Sequence, residues 1–189
     1  MADRIVVVRH GETEWSLALR HTSATDLPLI EPGRVRAAEL AHELEGREFA
    51  LVLTSPLRRA RETCELAGFG AAAEVDNDLH EWEYGDYEGL TTAEIRARTP
   101  DWYLWRDGCP GGERPADVGA RVDRVLTRLR ALDGDALLFA HGHVLRVLAA
   151  RWIELDVDGG AHLTLGAGAT GTLGYERTTP VLERWNAGA

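Results

Sequence analysis

The stretch Ile5-Val6-Val7-Val8-Arg9-His10-Gly11 joins a run of apolar residues to an abruptly polar ending. Four consecutive β-branched side chains are typical of a strand that is buried on both faces. A second apolar run, Leu51-Val52-Leu53, passes into Thr54-Ser55-Pro56, and a hydroxyl residue followed by proline signals that a helix begins. We therefore expect strand, turn and helix to follow one another, with the second helix over Leu57 to Leu66.

The same order recurs later in the chain. A third apolar run, Ala136 to Ala140, ends in His141-Gly142-His143 ahead of a predicted helix over Val144 to Trp152. Alternation of strands and helices predicts a largely parallel sheet with helices on both faces. Thr164 to Trp185 alternates and carries Gly and Thr, which favours a terminal hairpin or edge strands. The predicted fold is α/β, a three-layer αβα sandwich with a mostly parallel central sheet, and residues 1–189 form one domain.

Helical spacing marks further segments. In Arg34 to Leu44, helical spacing marks one face of a predicted amphipathic helix, formed by Val35, Ala38 and either Ala41 or His42. After Pro115 a long helix is predicted, with arginines covering the rest of its surface. Its apolar positions are Val118, Val122, Val125, Leu126, Leu129 and Leu132, and its arginines are Arg121, Arg124, Arg128 and Arg130. The less periodic middle segment is expected to cross one end of the sheet, with short helices at Thr92 to Arg98 and Asp101 to Arg106.

Composition narrows the classes of function. The chain has 189 residues, 44% of them hydrophobic, and its 31 acidic and 21 basic side chains give a net charge of −10. Nucleic acids and anionic membranes require a basic face, so we expect neither as a partner. No apolar stretch approaches the roughly 18 residues of a membrane span, and the first residues lack a secretory signal, which predicts a soluble cytoplasmic protein. Cys64 and Cys109 have no paired spacing and are expected to be ordinary thiols.

Cationic and imidazole side chains follow all three predicted strands. They are Arg9, His10, Arg58, Arg59 and His141. Because parallel strands place their carboxyl ends side by side, these groups can converge on one spot. Guanidiniums, imidazoles and free N–H groups at helix starts match the charge that a phosphoryl group spreads over three oxygens. The residues therefore predict a phosphate site inside an acidic protein.

Four motifs carry a family resemblance. In chain order they are Arg9-His10-Gly11-Glu12-Thr13, Ser55-Pro56-Leu57-Arg58-Arg59-Ala60-Arg61-Glu62-Thr63, Glu81-Trp82-Glu83-Tyr84-Gly85-Asp86-Tyr87-Glu88-Gly89 and Ala140-His141-Gly142-His143. In order and spacing they resemble the histidine phosphatase (phosphoglycerate mutase-like) superfamily over nearly the whole chain. The resemblance implies a phosphoglycerate mutase-like fold, with residues 1–189 as a single histidine phosphatase domain.

The resemblance also implies roles for individual residues. His10 would be the nucleophile that takes the phosphoryl group, and Glu81 would be the proton donor. Arg9 and Arg59 would clamp the phosphate oxygens together with His141, whereas Arg58 would face solvent. Further substrate contacts are expected from Ser16, His21, Thr22, Tyr84, Gly142 and His143. Such a mechanism splits hydrolysis into phosphorylation of histidine and attack by water, so no metal or other cofactor is expected.

Departures from the mutases of this superfamily favour a phosphatase. Those mutases carry an inserted arginine pair and a lysine in a Gly-Leu-Asn-Lys run, whereas this chain is compact and reads Gly89-Leu90-Thr91-Thr92. Thr13-Glu14-Trp15-Ser16 resembles instead the branch of small acid phosphatases and sugar bisphosphatases. The resemblance therefore implies a metal-independent phosphatase for phosphomonoesters of small metabolites. A cofactor-dependent phosphoglycerate mutase and a non-catalytic phosphate-binding protein stay open as alternatives, and so does a homodimer.

Two other patterns suggest different chemistry. His141 and His143 form a His-x-His pair, but no clustered Asp and His ligands accompany it, which argues against a zinc centre. The segment Gly166 to Gly171 fits the G-x-G-x-x-G pattern of dinucleotide-binding proteins. That fingerprint opens a helix within a strand-helix-strand unit, whereas here only 18 residues follow, in a β-like tail. We expect neither a metal nor a dinucleotide cofactor.

Overall fold

The computed structural model of the chain describes residues 3–188. Six strands form one sheet in the order β3-β2-β4-β1-β5-β6. They are β1 (Ile5–Arg9), β2 (Leu51–Thr54), β3 (Ala73–Val75), β4 (Ala136–Ala140), β5 (Thr170–Glu176) and β6 (Thr179–Ala187). Strands β1 to β4 pair in parallel, and the hairpin of β5 and β6 joins the edge of β1 in the antiparallel sense. The predicted α/β class with a mostly parallel sheet is confirmed.

Helices cover both faces of this sheet. They are α1 (Glu14–Leu17), α2 (Glu31–Glu43), α3 (Arg58–Leu66), α4 (Thr92–Arg98), α5 (Leu104–Asp107), α6 (Pro115–Arg130) and α7 (Gly142–Trp152), with short 3-10 helices at Asn77–Leu79, Gly85–Tyr87 and Val157–His162. Because successive side chains of a strand point to opposite faces, Ile5 and Val7 pack with α6 and α7, whereas Val6 and Val8 pack with α2 and α3. The result is the predicted three-layer sandwich.

The register of the central strands brings their carboxyl ends to one edge of the sheet. Arg9 of β1 pairs with Ala140 of β4, and Thr54 of β2 pairs with Phe139. Hydrogen bonding to β4 extends one residue beyond the end of β1 and of β2. The N–H of His10 donates to the carbonyl of Ala140, and the N–H of Ser55 donates to the carbonyl of Phe139. The residue that follows each strand therefore enters the same region.

The buried face of α2 differs from the predicted one. The prediction placed Val35 and Ala38 on the apolar face, but Val35 is 52% exposed and the buried positions are Gly33, Ala37 and Leu40. Gly33 sets this rotation, since its backbone lies against the backbone of Glu12, and a Cβ on Gly33 would fall 2.3 Å from the Glu12 carbonyl oxygen. The helix also begins earlier than predicted, at Glu31.

Other boundaries follow the predictions with local exceptions. Helix α4 has the predicted bounds, α7 begins two residues early at Gly142, and α5 is shorter than predicted. Strand β3 was not predicted, because it is a three-residue edge strand whose Val75 is 56% exposed. Arg121 of α6 was predicted on the polar surface of its helix, yet it is buried. Within residues 3–188, no helix is long and apolar enough to cross a bilayer.

Candidate active site

A cavity of about 330 Å³ opens where β1 and β4 end. Its walls come from the segments that follow those two strands, from α1 and the loop after it, and from the loop that carries Glu81. The lining residues are Arg9, His10, Thr13, Ser16, Leu19, Arg20, His21, Thr22, Glu81, Tyr84, Thr92, Gly142, His143, Arg146 and Leu165. Nine of the eleven predicted site residues are among them; Arg59 and His141 are not.

His10 has a defined tautomer. Its Nδ1 lies 2.7 Å from the carbonyl oxygen of Gly11, so the ring proton sits on Nδ1 and Nε2 keeps its lone pair. Burial, and then the nearby charges of Arg59 and Arg9, lower the pKa of His10 well below its ordinary value of 6.5. The imidazole is therefore neutral at neutral pH, which is the form whose lone pair can act as a nucleophile.

Arg9 lies beside His10 with a free donor. Its Nη1 donates to the carbonyl of Leu165 at 2.5 Å, and its guanidinium rests on Gly142, where a Cβ would come within 3.4 Å. Its Nε is buried and finds no acceptor among the described residues. Burial lowers the pKa of Arg9 below its ordinary value, yet the group stays cationic. Because Arg9 also lines the cavity, its positive charge attracts an anion there.

Arg59 and His141 form a buried pair behind His10. The ring centroids of His10 and His141 are 5.1 Å apart. Nε of Arg59 donates to Nδ1 of His141 at 3.1 Å, so the His141 proton lies on Nε2, which donates to the Ser55 hydroxyl at 2.7 Å. The other guanidinium nitrogens donate to the carbonyls of Thr22 and Thr25. Both side chains therefore use protein acceptors that phosphate oxygens could replace.

The carboxylate of Glu81 is fixed at the start of α7. Oε2 accepts the backbone N–H of His143 at 3.0 Å, and Oε1 accepts those of Val144 and Trp82, each at 2.9 Å. The first N–H groups of a helix lack intrahelical partners and favour a negative group, which explains this placement. Oε2 has a single N–H donor, so one of its lone pairs remains for exchange of a proton inside the cavity.

Tyr84, His143 and His21 form one wall. The Tyr84 hydroxyl lies 2.6 Å from Nδ1 of His143. Burial raises the pKa of Tyr84 well above 10 and lowers that of His143 well below 6.5, so the hydroxyl donates to a neutral ring whose proton is on Nε2. Nδ1 of His21 donates to the Leu90 carbonyl at 2.8 Å, and this ring is parallel to that of His143 at 6.2 Å. The wall thus offers the Nε2–H group of His143 as a hydrogen-bond donor and the Nε2 lone pair of His21 as an acceptor.

Small polar residues complete the inner surface. The Ser16 hydroxyl donates to the carbonyl of Thr13 and accepts its N–H, in the capping box of α1. The Thr22 hydroxyl donates to the carbonyl of Arg20 at 2.9 Å. The backbone of Gly142 packs against the Arg9 guanidinium. Local hydrogen bonds therefore hold these side chains before any ligand binds.

Two cavity arginines were not predicted as site residues. Arg146 donates to the carbonyls of Gly160 and Ala161, and its guanidinium carbon lies 4.7 Å from the Trp105 ring. Burial lowers the pKa of Arg146, and the nearby charge of Glu81 opposes this shift. Its position, one turn after His143 on α7, is the sequence signal that could have identified it. Arg20 donates a hydrogen bond to the carbonyl of Gly89. The sequence around Arg20 gives no signal for this contact.

The lining carries three arginines and a single acidic residue, Glu81. In the part of the chain that the structure describes, His, Cys, Asp and Glu form no group of three or more that could hold a metal ion. The arrangement combines a neutral imidazole, fixed cations and a carboxylate around one small cavity. These are the groups required to bind a phosphoryl group, transfer it to nitrogen and move a proton.

Comparisons with known proteins agree with this chemistry. The family model of the histidine phosphatase superfamily (branch 1) matches residues 5–188. An acid phosphatase of Mycobacterium tuberculosis is 41% identical, with 92% of this chain and 87% of the relative aligned. A sedoheptulose 1,7-bisphosphatase of Saccharomyces cerevisiae is 38% identical (84% and 70%), and a 2,3-bisphosphoglycerate-dependent phosphoglycerate mutase of Mesorhizobium japonicum is 34% identical (89% and 90%). The solved structure of a Mycobacterium tuberculosis open reading frame superposes with a TM-score of 0.93, at 36% identity and 98% coverage of both chains.

Proposed function

Because the chain belongs to branch 1 of the histidine phosphatase superfamily, we propose that it is a metal-independent phosphatase for phosphomonoesters of small metabolites. Residues 1–189 would act as one catalytic domain. One observation carries the proposal: the neutral His10 keeps the lone pair of Nε2 and lines a cavity that is also lined by the cationic Arg9. A nucleophile and an anion donor therefore meet in one cavity.

In the first step, Nε2 of His10 attacks phosphorus. The P–N bond forms as the bond from phosphorus to the ester oxygen breaks, and the three remaining oxygens keep their negative charge. Arg9 donates to these oxygens, and Arg59 and His141 join it by exchanging their present acceptors for phosphate. Glu81, in its protonated form, gives its proton to the departing alkoxide. The products are an alcohol and phosphohistidine.

In the second step, water attacks the phosphorus of phosphohistidine. The Glu81 carboxylate, left ionised by the first step, takes a proton from this water. The new P–O bond forms as the P–N bond breaks, which restores His10 with its free lone pair and releases inorganic phosphate. The same carboxyl group thus serves as acid and then as base, and its fixed position at the start of α7 supports both roles.

The charge of the cavity supports an anionic small molecule as the substrate. Three arginines against one carboxylate attract a phosphate ester into a protein whose net charge is −10. The volume, about 330 Å³, suits a metabolite rather than a polymer. The relatives named as acid phosphatase and sedoheptulose bisphosphatase support this class of substrate.

Trapping the intermediate tests the proposal. The enzyme is mixed with a radiolabelled phosphomonoester in the presence of EDTA and quenched in base, where phosphohistidine survives. We expect an acid-labile label on His10, no label and no turnover in His10→Ala, and unchanged turnover in His42→Ala, which alters an exposed histidine of α2. Label on another residue, turnover by His10→Ala, or inactivation by EDTA would refute the mechanism, and a pure phosphate-binding protein would show no turnover at all.

Mutase activity is the second candidate, favoured by the relative named as a phosphoglycerate mutase. A mutase must return the phosphoryl group to substrate before water takes it. Thr92 lines the cavity, where by resemblance the mutases place a lysine. We expect phosphate release to exceed the interconversion of 2- and 3-phosphoglycerate, measured after priming with 2,3-bisphosphoglycerate. Interconversion faster than hydrolysis by about tenfold would reverse this assignment.

A further inference from the structure

Arg121 and Glu113 form a buried ion pair outside the cavity. The side chain of Arg121 is 4% exposed and that of Glu113 is 13% exposed. Nε and Nη2 of Arg121 donate to the two carboxylate oxygens at 2.7 and 3.0 Å, a bidentate arrangement. Neither residue lines the cavity, so neither can touch substrate there.

The remaining nitrogen of Arg121 holds the segment that carries Glu81. Nη1 donates to the carbonyls of Asp78 and His80 at 2.7 and 2.8 Å. The His80 carbonyl belongs to the peptide group that also contains the Glu81 nitrogen. Because a peptide group is planar, the hydrogen bond from Arg121 to the His80 carbonyl also fixes the orientation of the Glu81 nitrogen in the same group.

Glu113 holds the same segment on the far side of Glu81. Its Oε2 accepts the N–H of Glu83 at 2.9 Å, and its carbonyl accepts the indole N–H of Trp82 at 3.0 Å. The N–H of Glu113 donates to the Glu83 carbonyl at 2.9 Å. The ion pair therefore holds the backbone before and after Glu81, while the start of α7 holds its carboxylate.

We propose that Arg121, through its pair with Glu113, is a positioning residue that sets the Glu81 carboxyl group for proton transfer. The inference rests on the proposed function, in which Glu81 protonates the leaving group. Proton transfer requires the carboxyl oxygen within hydrogen-bond reach of the ester oxygen, and a misplacement of about 1 Å can lower a rate about a hundredfold. Release of the segment from Arg121 would let Glu81 shift, whereas Arg9 and His10, at the end of β1 and directly after it, receive no hydrogen bond from Arg121 or Glu113.

Two substrates with different leaving groups distinguish a positioning role of Arg121 from a purely structural role in stabilising the fold. An alkyl phosphate needs a proton on its departing oxygen, whereas p-nitrophenolate departs with little help. Misplacement of Glu81 alone should slow the alkyl ester selectively, while general loosening of the fold should slow both esters equally. Single turnovers with excess enzyme restrict the comparison to the phosphorylation step.

Arg121→Lys is the principal variant, because it keeps the buried charge but cannot make all four hydrogen bonds. We expect a loss of about tenfold or more with the alkyl ester, against a change within about threefold for p-nitrophenyl phosphate and for inhibition by inorganic phosphate. Glu113→Gln should give the same selective loss. Arg124→Lys is the matched control, since Arg124 lies on the same helix and pairs with the Asp78 side chain, but is 62% exposed. It should behave as the wild type.

Glu81→Gln, measured in parallel, separates the two hypotheses. If Glu81→Gln slows both esters equally, the role of Glu81 in the proposed function is wrong and the inference falls with it. If Glu81→Gln is selective for the alkyl ester but Arg121→Lys and Glu113→Gln are not, only the positioning role is overturned. Thermal unfolding of each variant shows whether the protein remains folded, and an equal loss with both esters in a folded Arg121→Lys also overturns the inference.

Discussion

Arg58 and Arg59 are adjacent in the sequence but occupy opposite environments. The side chain of Arg58 is 61% exposed, whereas Arg59 is fully buried against His141. Residues next to each other on a helix point about 100° apart, so only one of the two can reach the site. In the proposed mechanism it is therefore Arg59, and not Arg58, that stabilises charge on the transferred phosphoryl group.

We expect Arg59→Ala to lower kcat/KM by at least about a hundredfold, because a fixed donor to the transition state is lost. Arg58→Ala should stay close to wild type, since exposed ion pairs contribute about 0–1 kcal/mol. Steady-state kinetics with one phosphomonoester measures both, and thermal unfolding verifies that Arg59→Ala is folded. A larger loss in Arg58→Ala than in Arg59→Ala would contradict the assignment.

Sequence motifs point to candidate reactive side chains more readily than to the side chains that hold those candidates in place. His10 and Glu81 stand at recognisable positions, one directly after a strand and the other at the head of an acidic and aromatic motif. Arg121 was predicted to be exposed because its charge and helical position favour solvent. Its burial depends on the carbonyls of Asp78 and His80, more than 40 residues away, which no local pattern indicates.

Among the elements, α2 shows how one backbone contact sets the orientation of a helix. Gly33 packs against Glu12, and a Cβ at Gly11 would itself lie 2.4 Å from the Gly33 carbonyl oxygen. The contact therefore joins the start of α2 to the segment directly after His10. The order of apolar side chains in α2 could not predict this, because the decisive residue has no side chain.

Gly33→Ala should destabilise the protein. In a helix, replacing glycine by alanine normally stabilises by about 0.5–1 kcal/mol, but here the new methyl group would strike backbone atoms that cannot move aside. We expect a loss of about 1–3 kcal/mol in the free energy of unfolding, measured in urea. Gly119→Ala in α6 is the control, since its Cβ would meet only the end of the Val157 side chain, and it should be destabilised less. Equal effects in the two variants would argue against the backbone contact.

The strands that the sequence predicts are those whose own residues form a clear hydrophobic pattern. Strands β1, β2 and β4 are buried apolar runs, so their positions follow from the sequence. Strand β3 has one exposed valine, one glutamate and a half-buried alanine, and it exists because the edge of β2 accepts it. The terminal hairpin of β5 and β6 was also predicted, from its alternating pattern, so among the strands only β3, which has neither an apolar run nor a clear alternation, was missed.

At the scale of the whole molecule, buried histidines couple the site to the stability of the fold. Burial is the largest cause that lowers the pKa values of His10, His141 and His143 well below 6.5. Below pH 6.5 the unfolded chain binds protons on these residues that the native state excludes. Stability therefore rises with pH in this range and is lost on acidification, by up to about 1.4 kcal/mol per pH unit for each histidine.

We expect the free energy of unfolding to fall between pH 7.5 and 5 by an amount that reflects these three groups and His21, whose pKa burial also lowers, about 1 kcal/mol or more per pH unit below 6.5. Hydrogen bonds to Arg124 lower the pKa of Asp78 from its ordinary value of 3.8. Paired carboxylates of this kind lose their contribution to stability only at lower pH. The window between pH 7.5 and 5 therefore reports on the histidines. Urea titrations in phosphate-free buffer measure the slope, since bound phosphate would add its own stabilisation. His143→Gln should reduce the slope, and a stability that stays level or increases on acidification would contradict the burial of neutral histidines. The same lowered pKa keeps His10 nucleophilic below pH 6.5, so the protein should remain active in a pH range where its fold is already losing stability.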